Sequence, residues 1–122
     1  MEEEGIVFQG PCYKQGGVVK NWKRRWMILR TDGRLYYYAI NNSKVYPRDG
    51  FKGVIEDFVD VCQGETTELL TSWPRDAPQS CRFSLPTNQR TYHIYCDTAA
   101  ECQKWAEHLN NTCRQKAKAD RH

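Results

Sequence analysis

The sequence predicts a mainly β domain in which about seven short antiparallel strands form a bent sandwich or barrel that one C-terminal amphipathic helix caps. Two observations predict this fold. Several segments before Asp97 alternate apolar and polar residues with a period of two, which is typical of strands with one buried face. After Asp97 the apolar residues recur at about every 3.6 positions, the period of an α-helix. The 122 residues are enough for a single domain.

The first three strands are predicted from β-forming segments separated by turn residues. The first strand covers Gly5 to Tyr13 and is followed by Gln15-Gly16-Gly17, a turn signal. The second covers Asn21 to Arg30 and leads into Asp32-Gly33, a pair that tolerates the positive φ of a tight hairpin. The third covers Arg34 to Ile40 and contains three consecutive tyrosines, which favour strands.

Four more strands are predicted in the second half of the chain. Two short ones lie within Phe51 to Ile55 and Phe58 to Cys62, and Gln63 to Ser80 is a long polar loop whose Trp73 is expected to pack back on the body. The sixth and seventh strands are predicted at Cys81 to Leu85 and Arg90 to Cys96.

The closing helix is predicted from its cap and its apolar stripe. Thr98 and Glu101 have the spacing of a capping box, so the helix should begin at Ala99 and end near Arg114. Its apolar stripe consists of Cys102, Trp105, Ala106, Leu109 and Cys113. We therefore predict one domain over residues 1–115 and a fraying polar tail over residues 116–122.

Composition excludes several classes of protein. No apolar run approaches the roughly 20 residues that cross a bilayer, and the acidic Met1-Glu2-Glu3-Glu4 start does not resemble a signal peptide, so a cytoplasmic location is expected. The six cysteines contain no Cys-x-x-Cys pair, and we predict that most are small buried hydrophobes and not zinc ligands or disulfides.

No catalytic or cofactor-binding pattern is visible. His93, His108 and His122 lie outside any nucleophile motif, and no cluster of residues has metal-ligand spacing. Phosphate-binding P-loop and dinucleotide fingerprints are also absent. The sequence therefore predicts a binding module that is not an enzyme and that requires no cofactor and no metal.

Charge is distributed unevenly along the chain. The formal net charge is +3, and basic residues concentrate between Lys14 and Arg34, whereas acidic residues dominate Phe51 to Ser80. Such asymmetry indicates a positive face for an anionic partner. An ordinary solvated strand face remains the alternative.

The first hairpin carries the candidate site. Lys23 and Arg25, two apart on one strand, project to the same face, and Lys14 lies across the hairpin from them. The glycines of the loop allow backbone amides to approach an anion. A multiply phosphorylated headgroup suits this set, since guanidinium and ammonium groups both bind phosphate. A basic hairpin kept for solubility is the alternative.

The segment from Lys14 through Trp22 and Arg25 to Leu29, followed by Asp32-Gly33 and Tyr38, resembles the pleckstrin homology domain family. Trp105 matches the tryptophan of that family's helix. The resemblance covers Gly5 to Arg114 and is strongest to the 3-phosphoinositide-binding subgroup, such as the N-terminal domain of protein kinase B or the tandem pleckstrin homology adaptors. One departure is Glu56-Asp57-Phe58 in place of Asn-Asn-Phe, because carboxylates facing the site would repel phosphates.

The resemblance implies a role for each candidate residue. Lys14 would hold the 4-phosphate, with the 3-phosphate as an alternative or additional contact. Arg25 would bridge the 3- and 4-phosphates, and Lys23 would lie on the side of the 3-phosphate. The remaining implied contacts are Arg90 from the seventh strand, Tyr38 from the third, loop amides of Gly16, Gly17, Val18 and Val19, and Lys20 at the periphery.

The function implied is that of a membrane-targeting module. It would bind phosphatidylinositol 3,4,5-trisphosphate or the 3,4-bisphosphate and recruit a larger signalling protein, a kinase or an adaptor, to the plasma membrane or endomembranes. The alternative is a protein-interaction domain of the same fold with weak lipid binding, which would use the acidic segment Glu56 to Asp60 and the Trp73 loop. A nucleic-acid partner is not expected.

Overall fold

The computed structural model describes residues 5–40 and 50–120. Within these two ranges, seven strands and one α-helix follow one another: β1 (Ile6–Gln15), β2 (Trp22–Arg30), β3 (Leu35–Ala39), β4 (Phe51–Ile55), β5 (Cys62–Gln63), β6 (Arg82–Pro86), β7 (Thr91–Tyr95) and α1 (Ala99–Ala119). Two short 3-10 turns lie between β5 and β6, at Gly64–Thr67 and Gln79–Cys81.

All seven strands belong to one antiparallel sheet in the order β4-β3-β2-β1-β7-β6-β5. The central strand β1 pairs with β2 along nearly its whole length and with β7 at Tyr13–Tyr95 and Lys14–Ile94. The inner face of the sheet and the stripe of α1 share one core, whose fully buried members include Met27, Leu29, Leu35, Ile55, Phe83, Leu85, Ile94, Trp105 and Leu109. The predicted fold class is confirmed.

The fifth strand is shorter than predicted and lies later in the chain. We predicted it within Phe58 to Cys62, whereas β5 contains only Cys62–Gln63. Phe58 is instead fully buried in the core, and the Asp60 carboxylate accepts a hydrogen bond from the Val61 amide (2.8 Å). This local side-chain bond satisfies a backbone donor that a strand would have used for pairing.

The long β5–β6 connection packs across the outer face of the sheet, as predicted for Trp73. Its indole Nε1 donates to the Thr67 carbonyl (2.8 Å), and its ring lies 5.2 Å from that of Trp22 and 5.6 Å from that of His93. His93 and Tyr95, which alternation places on the outer face of β7, are therefore buried as well. Because both faces of β7 are covered, its residues are not alternately buried and exposed.

The helix begins where its cap predicts and ends later than expected. The Glu101 amide donates to the Thr98 hydroxyl oxygen (3.1 Å), which confirms the cap. The predicted end at Arg114 is wrong, because α1 continues through residues 115–119. Lys116 holds this last part: its Nζ donates to the carbonyls of Phe58 (2.7 Å) and Glu56 (3.2 Å) and lies 3.6 Å from the centre of the Phe58 ring.

All six cysteines are free thiols. Four of them, Cys12, Cys81, Cys96 and Cys102, are buried, as predicted, whereas Cys62 and Cys113 are half-buried. Cys12 and Cys96 meet across the β1–β7 pair with 3.9 Å between their sulfur atoms. Within residues 5–40 and 50–120, no three His, Cys, Asp or Glu side chains group as metal ligands would. The helical part of that region offers no segment long and apolar enough to cross a membrane.

Candidate anion-binding site

Three cationic side chains project from one face of the sheet at the loop end of the β1–β2 hairpin. The register places Lys14 opposite Lys23 and Cys12 opposite Arg25. Directly opposed residues have Cβ atoms about 5 Å apart and diagonal ones about 7–8 Å, so Lys14, Lys23 and Arg25 form one cluster. This inner face is the one that carries the core residues Met27 and Leu29 farther along β2.

The neighbouring Arg24 points to the opposite face, as the alternation of side chains requires. Its guanidinium pairs with the Asp97 carboxylate (3.2 Å) and lies 5.6 Å from the centre of the Tyr13 ring. Arg24 and Arg25 are therefore adjacent in sequence but differ in the surface to which they belong.

Lys14 is the most buried cation of the cluster, with 8% of its surface exposed. Its Nζ lies 4.5 Å from the centre of the Tyr37 ring and 5.3 Å from that of Tyr92. Burial, together with the positive charges of Arg90 and Arg25, lowers the pKa of Lys14 to about 8. A phosphate bound here would act as the counter-ion of this ammonium group.

Arg90 lies under the β1–β2 loop and connects it to β7. Its Nη2 donates to the Gln15 carbonyl (3.3 Å), and its guanidinium stacks 4.1 Å from the centre of the Tyr92 ring. A Cβ atom at Gly17 would overlap the guanidinium, so a side chain there would displace this end of Arg90 from its present position. The structure thus brings Arg90 to the Lys14 cluster, and the charges of both act on each other.

The loop itself closes through its own backbone. The Gly16 amide donates to the Asn21 carbonyl (2.8 Å), and the Asn21 amide donates to the Val19 carbonyl (2.9 Å). The predicted contact of the Gly16 amide with a phosphate is therefore corrected, because that donor already has an acceptor. The amides of Gly17, Val18 and Val19 make no hydrogen bond within the described residues, and the Val18 side chain is 97% exposed.

Tyr38 is not at the cluster. It pairs with Trp26 on the outer face of the sheet, and its ring packs edge-on against Phe51 at 5.6 Å. The inner position belongs to Tyr37, which pairs with Met27 and lies beside Lys14. A phosphate contact from Tyr38 would require the opposite strand register, so the structure contradicts that assignment.

Sequence reasoning missed Tyr37 and Tyr92 as residues lining the cluster. Burial raises the pKa of Tyr37, which keeps its hydroxyl a neutral hydrogen-bond donor. Gly53 on β4 leaves room for this ring, since a Cβ there would lie 2.8 Å from the Tyr37 Cζ. The alternation of side chains along β2 and β3 could have shown that Tyr37, and not Tyr38, lies on the same face as Arg25. That reasoning requires the register of the β2–β3 hairpin, which the sequence alone did not establish.

Lys20 lies on the other side of the β1–β2 loop, away from Lys14. It lines a groove of about 460 Å³ together with Leu70 and Thr71 of the β5–β6 connection, His93 of β7 and Arg90, which lies in the β6–β7 turn just before the strand on which it was predicted. Burial, followed by the charges of Lys20 and Arg90, lowers the pKa of His93, whose Nδ1 lies 2.8 Å from the Ser84 hydroxyl. Lys20 is thus peripheral to the cluster, and Arg90 borders both the cluster and the groove.

The acidic segment lies at the opposite end of the sheet. Glu56 follows Ile55, which pairs with Leu35 beside the β2–β3 turn, and its carboxylate pairs with Arg34 (3.2 Å). Leu29, the partner of Leu35, lies six positions after Lys23 in β2, a distance of about 20 Å along a strand. The carboxylates at Glu56 and Asp57 therefore do not face the cationic cluster.

Comparison with known proteins supplies a family for this geometry. The family model described as the PH domain matches residues 6–114. A PH domain-containing protein of Dictyostelium discoideum is 24% identical over 101 residues, which are 83% of this chain and 19% of that protein. Pleckstrin-2 of Mus musculus is 42% identical over 48 residues, which are 39% of this chain and 14% of that protein. The chain therefore spans less than a fifth of these relatives.

Solved structures show the same architecture. The crystal structure of the C-terminal PH domain of pleckstrin in complex with D-myo-Ins(1,2,3,5,6)P5 superposes with a TM-score of 0.65 at 25% identity, over 90% of this chain and 97% of that one. The same domain in complex with D-myo-Ins(1,2,3,4,5)P5 gives a TM-score of 0.61 at 26% identity, over 88% of this chain and 97% of that one.

Proposed function

The chain belongs to the PH domain family, and from that premise we propose that it is a non-enzymatic membrane-targeting module that binds phosphoinositide headgroups. The observation that carries the proposal is Lys14, a lysine with only 8% of its surface exposed beside two further cations, Arg25 and Arg90. A buried cation surrounded by like charge is unfavourable in the free protein, and a polyphosphate removes that penalty. The pleckstrin domains similar to this chain, crystallised with inositol pentakisphosphates, support the same ligand chemistry.

The ligands proposed are phosphatidylinositol 3,4,5-trisphosphate and the 3,4-bisphosphate. Lys14 and Arg25 stand on adjacent strands at diagonal positions, so one guanidinium and one ammonium can contact two neighbouring phosphates of a ring. Lys23 lies opposite Lys14 and adds a third cation. Tyr37 replaces Tyr38 as the tyrosine donor beside these phosphates.

Binding to this headgroup would recruit a larger signalling protein, such as a kinase or an adaptor, from the cytoplasm to the plasma membrane or endomembranes. Basic residues near an anionic bilayer each add about 1 kcal/mol of attraction, which supplements the specific contacts. The exposed Val18 and Val19 flank these cations and favour contact with the lipid surface.

The test compares two adjacent arginines. Arg25→Ala removes a cation of the cluster, whereas Arg24→Ala removes the same charge from the opposite face. Titration against liposomes that each carry one phosphoinositide, at physiological salt, should show selective binding to 3-phosphorylated lipids. We expect Arg25→Ala to weaken that binding at least tenfold, and Arg24→Ala to change it less than twofold. Thermal unfolding should show that both variants are folded.

Two results would contradict the proposal. Retained binding by a folded Arg25→Ala protein would remove the proposed site. An equal loss of lipid affinity in the two variants would mean that the hairpin binds membranes only by general electrostatic attraction, since then only the total charge matters.

The alternative is a protein-interaction domain that uses the acidic segment or the Trp73 loop. Trp73 is held by Trp22 and the Thr67 carbonyl and is therefore occupied within the chain. The side chains of Asp57 and Asp60, in contrast, are exposed at the end of the sheet away from Lys14. This alternative would be favoured by a protein partner that binds in the absence of lipid and whose binding is lost when both aspartates are replaced with asparagine.

A further inference from the structure

A second apolar tip protrudes from the molecule beside the β1–β2 loop. Leu69 is 97% exposed and Leu70 45% exposed, within the segment that joins the 3-10 turn Gly64–Thr67 to Trp73. Neither leucine belongs to the hydrophobic core. Leu69 is thus almost entirely in solvent and Leu70 about half so, which leaves an apolar pair available for contact with a partner.

The backbone beneath these leucines is firmly held. Thr67 is fully buried and its hydroxyl donates to the Gly64 carbonyl (2.6 Å). The Leu70 amide donates to the Thr67 carbonyl (3.2 Å), which also accepts from the Trp73 indole (2.8 Å). The segment therefore presents its leucines outward from a fixed turn.

Two contacts place this segment next to the β1–β2 hairpin. The Gln15 Nε2, at the end of β1, donates to the Thr71 hydroxyl (3.1 Å), and the rings of Trp22 and Trp73 lie 5.2 Å apart. Leu70 and Lys20 line the same groove from its two sides. The tips Val18-Val19 and Leu69-Leu70 thus lie at the same end of the molecule, on either side of a groove that contains cations.

We propose that Leu69 and Leu70 form a second membrane-contacting element, which enters the boundary between the headgroups and acyl chains of an anionic bilayer while Val18 and Val19 enter beside it. This inference rests on the proposed function, because it assumes that the bound headgroup lies in a membrane.

The charges around the two tips match an anionic surface. Lys20 and Arg90 border the groove between the tips, and apolar side chains beside cations bind the bilayer interface more strongly than either kind of group alone. The nearest acidic residue in sequence, Glu68, pairs with Arg82 (3.2 Å) and so does not repel the lipid as an unpaired charge would.

The experiment uses one pair of substitutions and one matched control. Leu69→Asn with Leu70→Asn removes the second tip, and Val59→Asn replaces another exposed aliphatic residue, 67% exposed, in the β4–β5 connection at the opposite end of the sheet. Each protein is titrated with vesicles of phosphatidylcholine, phosphatidylserine and phosphatidylinositol 3,4,5-trisphosphate. Each is also titrated with soluble inositol 1,3,4,5-tetrakisphosphate, which presents the headgroup without a bilayer.

We expect the double variant to bind vesicles about tenfold more weakly and to bind the soluble headgroup with unchanged affinity, and Val59→Asn to change neither. As an independent measurement, Leu69→Trp should gain fluorescence that brominated acyl chains quench, whereas the added fluorescence of Val59→Trp should not be quenched.

The outcomes separate the inference from the proposed function. Unchanged vesicle binding by the double variant overturns the inference and assigns the leucines to another kind of partner, such as a protein, while the proposed function stands. An equal loss of vesicle and soluble binding also overturns it, because the segment would then act on the headgroup site. A wild-type chain that binds neither vesicles nor soluble headgroup overturns both.

Discussion

At the scale of single residues, Lys14 shows how the site is built. Its Nζ lies over the rings of Tyr37 and Tyr92, and the positive charges of Arg25 and Arg90 repel it. Folding thus leaves a cation partly dehydrated and without a counter-ion in the described residues. A bound phosphate offsets this unfavourable desolvation and repulsion, since the anion stabilises the protonated amine.

This reasoning predicts that headgroup affinity decreases with rising pH. Lys14 has a pKa of about 8 in the free chain, and a bound phosphate should raise that pKa toward its ordinary value. Binding then takes up a proton above pH 8, so affinity should fall by as much as about tenfold per pH unit. Phosphate groups gain negative charge over the same range, which acts in the opposite direction. Calorimetric titrations with soluble inositol 1,3,4,5-tetrakisphosphate from about pH 7 to 9.5 measure the effect.

Lys14→Arg is the control for this prediction, since arginine stays protonated throughout that range. Its affinity should vary much less with pH than that of the wild type, whereas Lys23→Arg, at an exposed position, should keep the wild-type profile. A wild-type pH profile that runs parallel to that of Lys14→Arg would show that Lys14 stays protonated in the free chain over this range, because the ionisation of the phosphates affects both proteins equally.

At the scale of elements, the helix shows what the sequence pattern can and cannot define. The cap at Thr98 and the apolar stripe through Trp105 and Leu109 fix where α1 starts and which face is buried. The stripe ends near Cys113, yet the helix continues because Lys116 reaches carbonyls of the β4–β5 connection. A polar side chain with a tertiary partner therefore extends the helix beyond its apolar stripe.

Lys116→Ala should lower the free energy of unfolding by about 1–2 kcal/mol, because it removes charge-assisted hydrogen bonds to two carbonyls and a cation–π contact with Phe58. Urea denaturation measures this change. Lys118→Ala, at an exposed position in the same last turn, should change stability by less than about 0.5 kcal/mol. Equal effects of the two substitutions would mean that Lys116 acts only through the charge of the helix end.

At the scale of the whole molecule, the two ends of the sheet differ in charge. The β1–β2 end carries Lys14, Lys20, Lys23 and Arg25, whereas at the opposite end the acidic segment from Glu56 to Asp60 lies beside two cations, Arg34 and Lys116, which offset part of its charge. Although the net charge is only +3, this separation orients the molecule in the field of an anionic surface. The apolar tips lie at the basic end, so orientation by charge also directs them toward lipid.

Salt should separate this general attraction from specific binding. Raising NaCl from about 0.1 to 0.5 M shortens the Debye length from about 10 to 4 Å. Binding to vesicles that contain only phosphatidylserine as anionic lipid should then fall more than tenfold, because it depends on screened charges. Binding to phosphatidylcholine vesicles whose only anionic lipid is phosphatidylinositol 3,4,5-trisphosphate should fall less than threefold, since Lys14 is buried and salt screens it less. Co-sedimentation measures both, and equal losses would contradict a built headgroup site.

The sequence by itself determined the fold class, six of the seven strands to within a few residues, the helix start, and the placement of Lys14, Lys23 and Arg25 at one end of a hairpin. These features depend on local periods, turn residues and caps, which short segments carry whatever surrounds them. Only the tertiary structure decided that Tyr37 and not Tyr38 faces Lys14, that the Gly16 amide is occupied, that the helix extends to Ala119, and that Leu69-Leu70 lies beside the hairpin loop. Each of these depends on strand register or on contacts between segments distant in the chain, and a one-residue change of register transfers a side chain to the other face of the sheet.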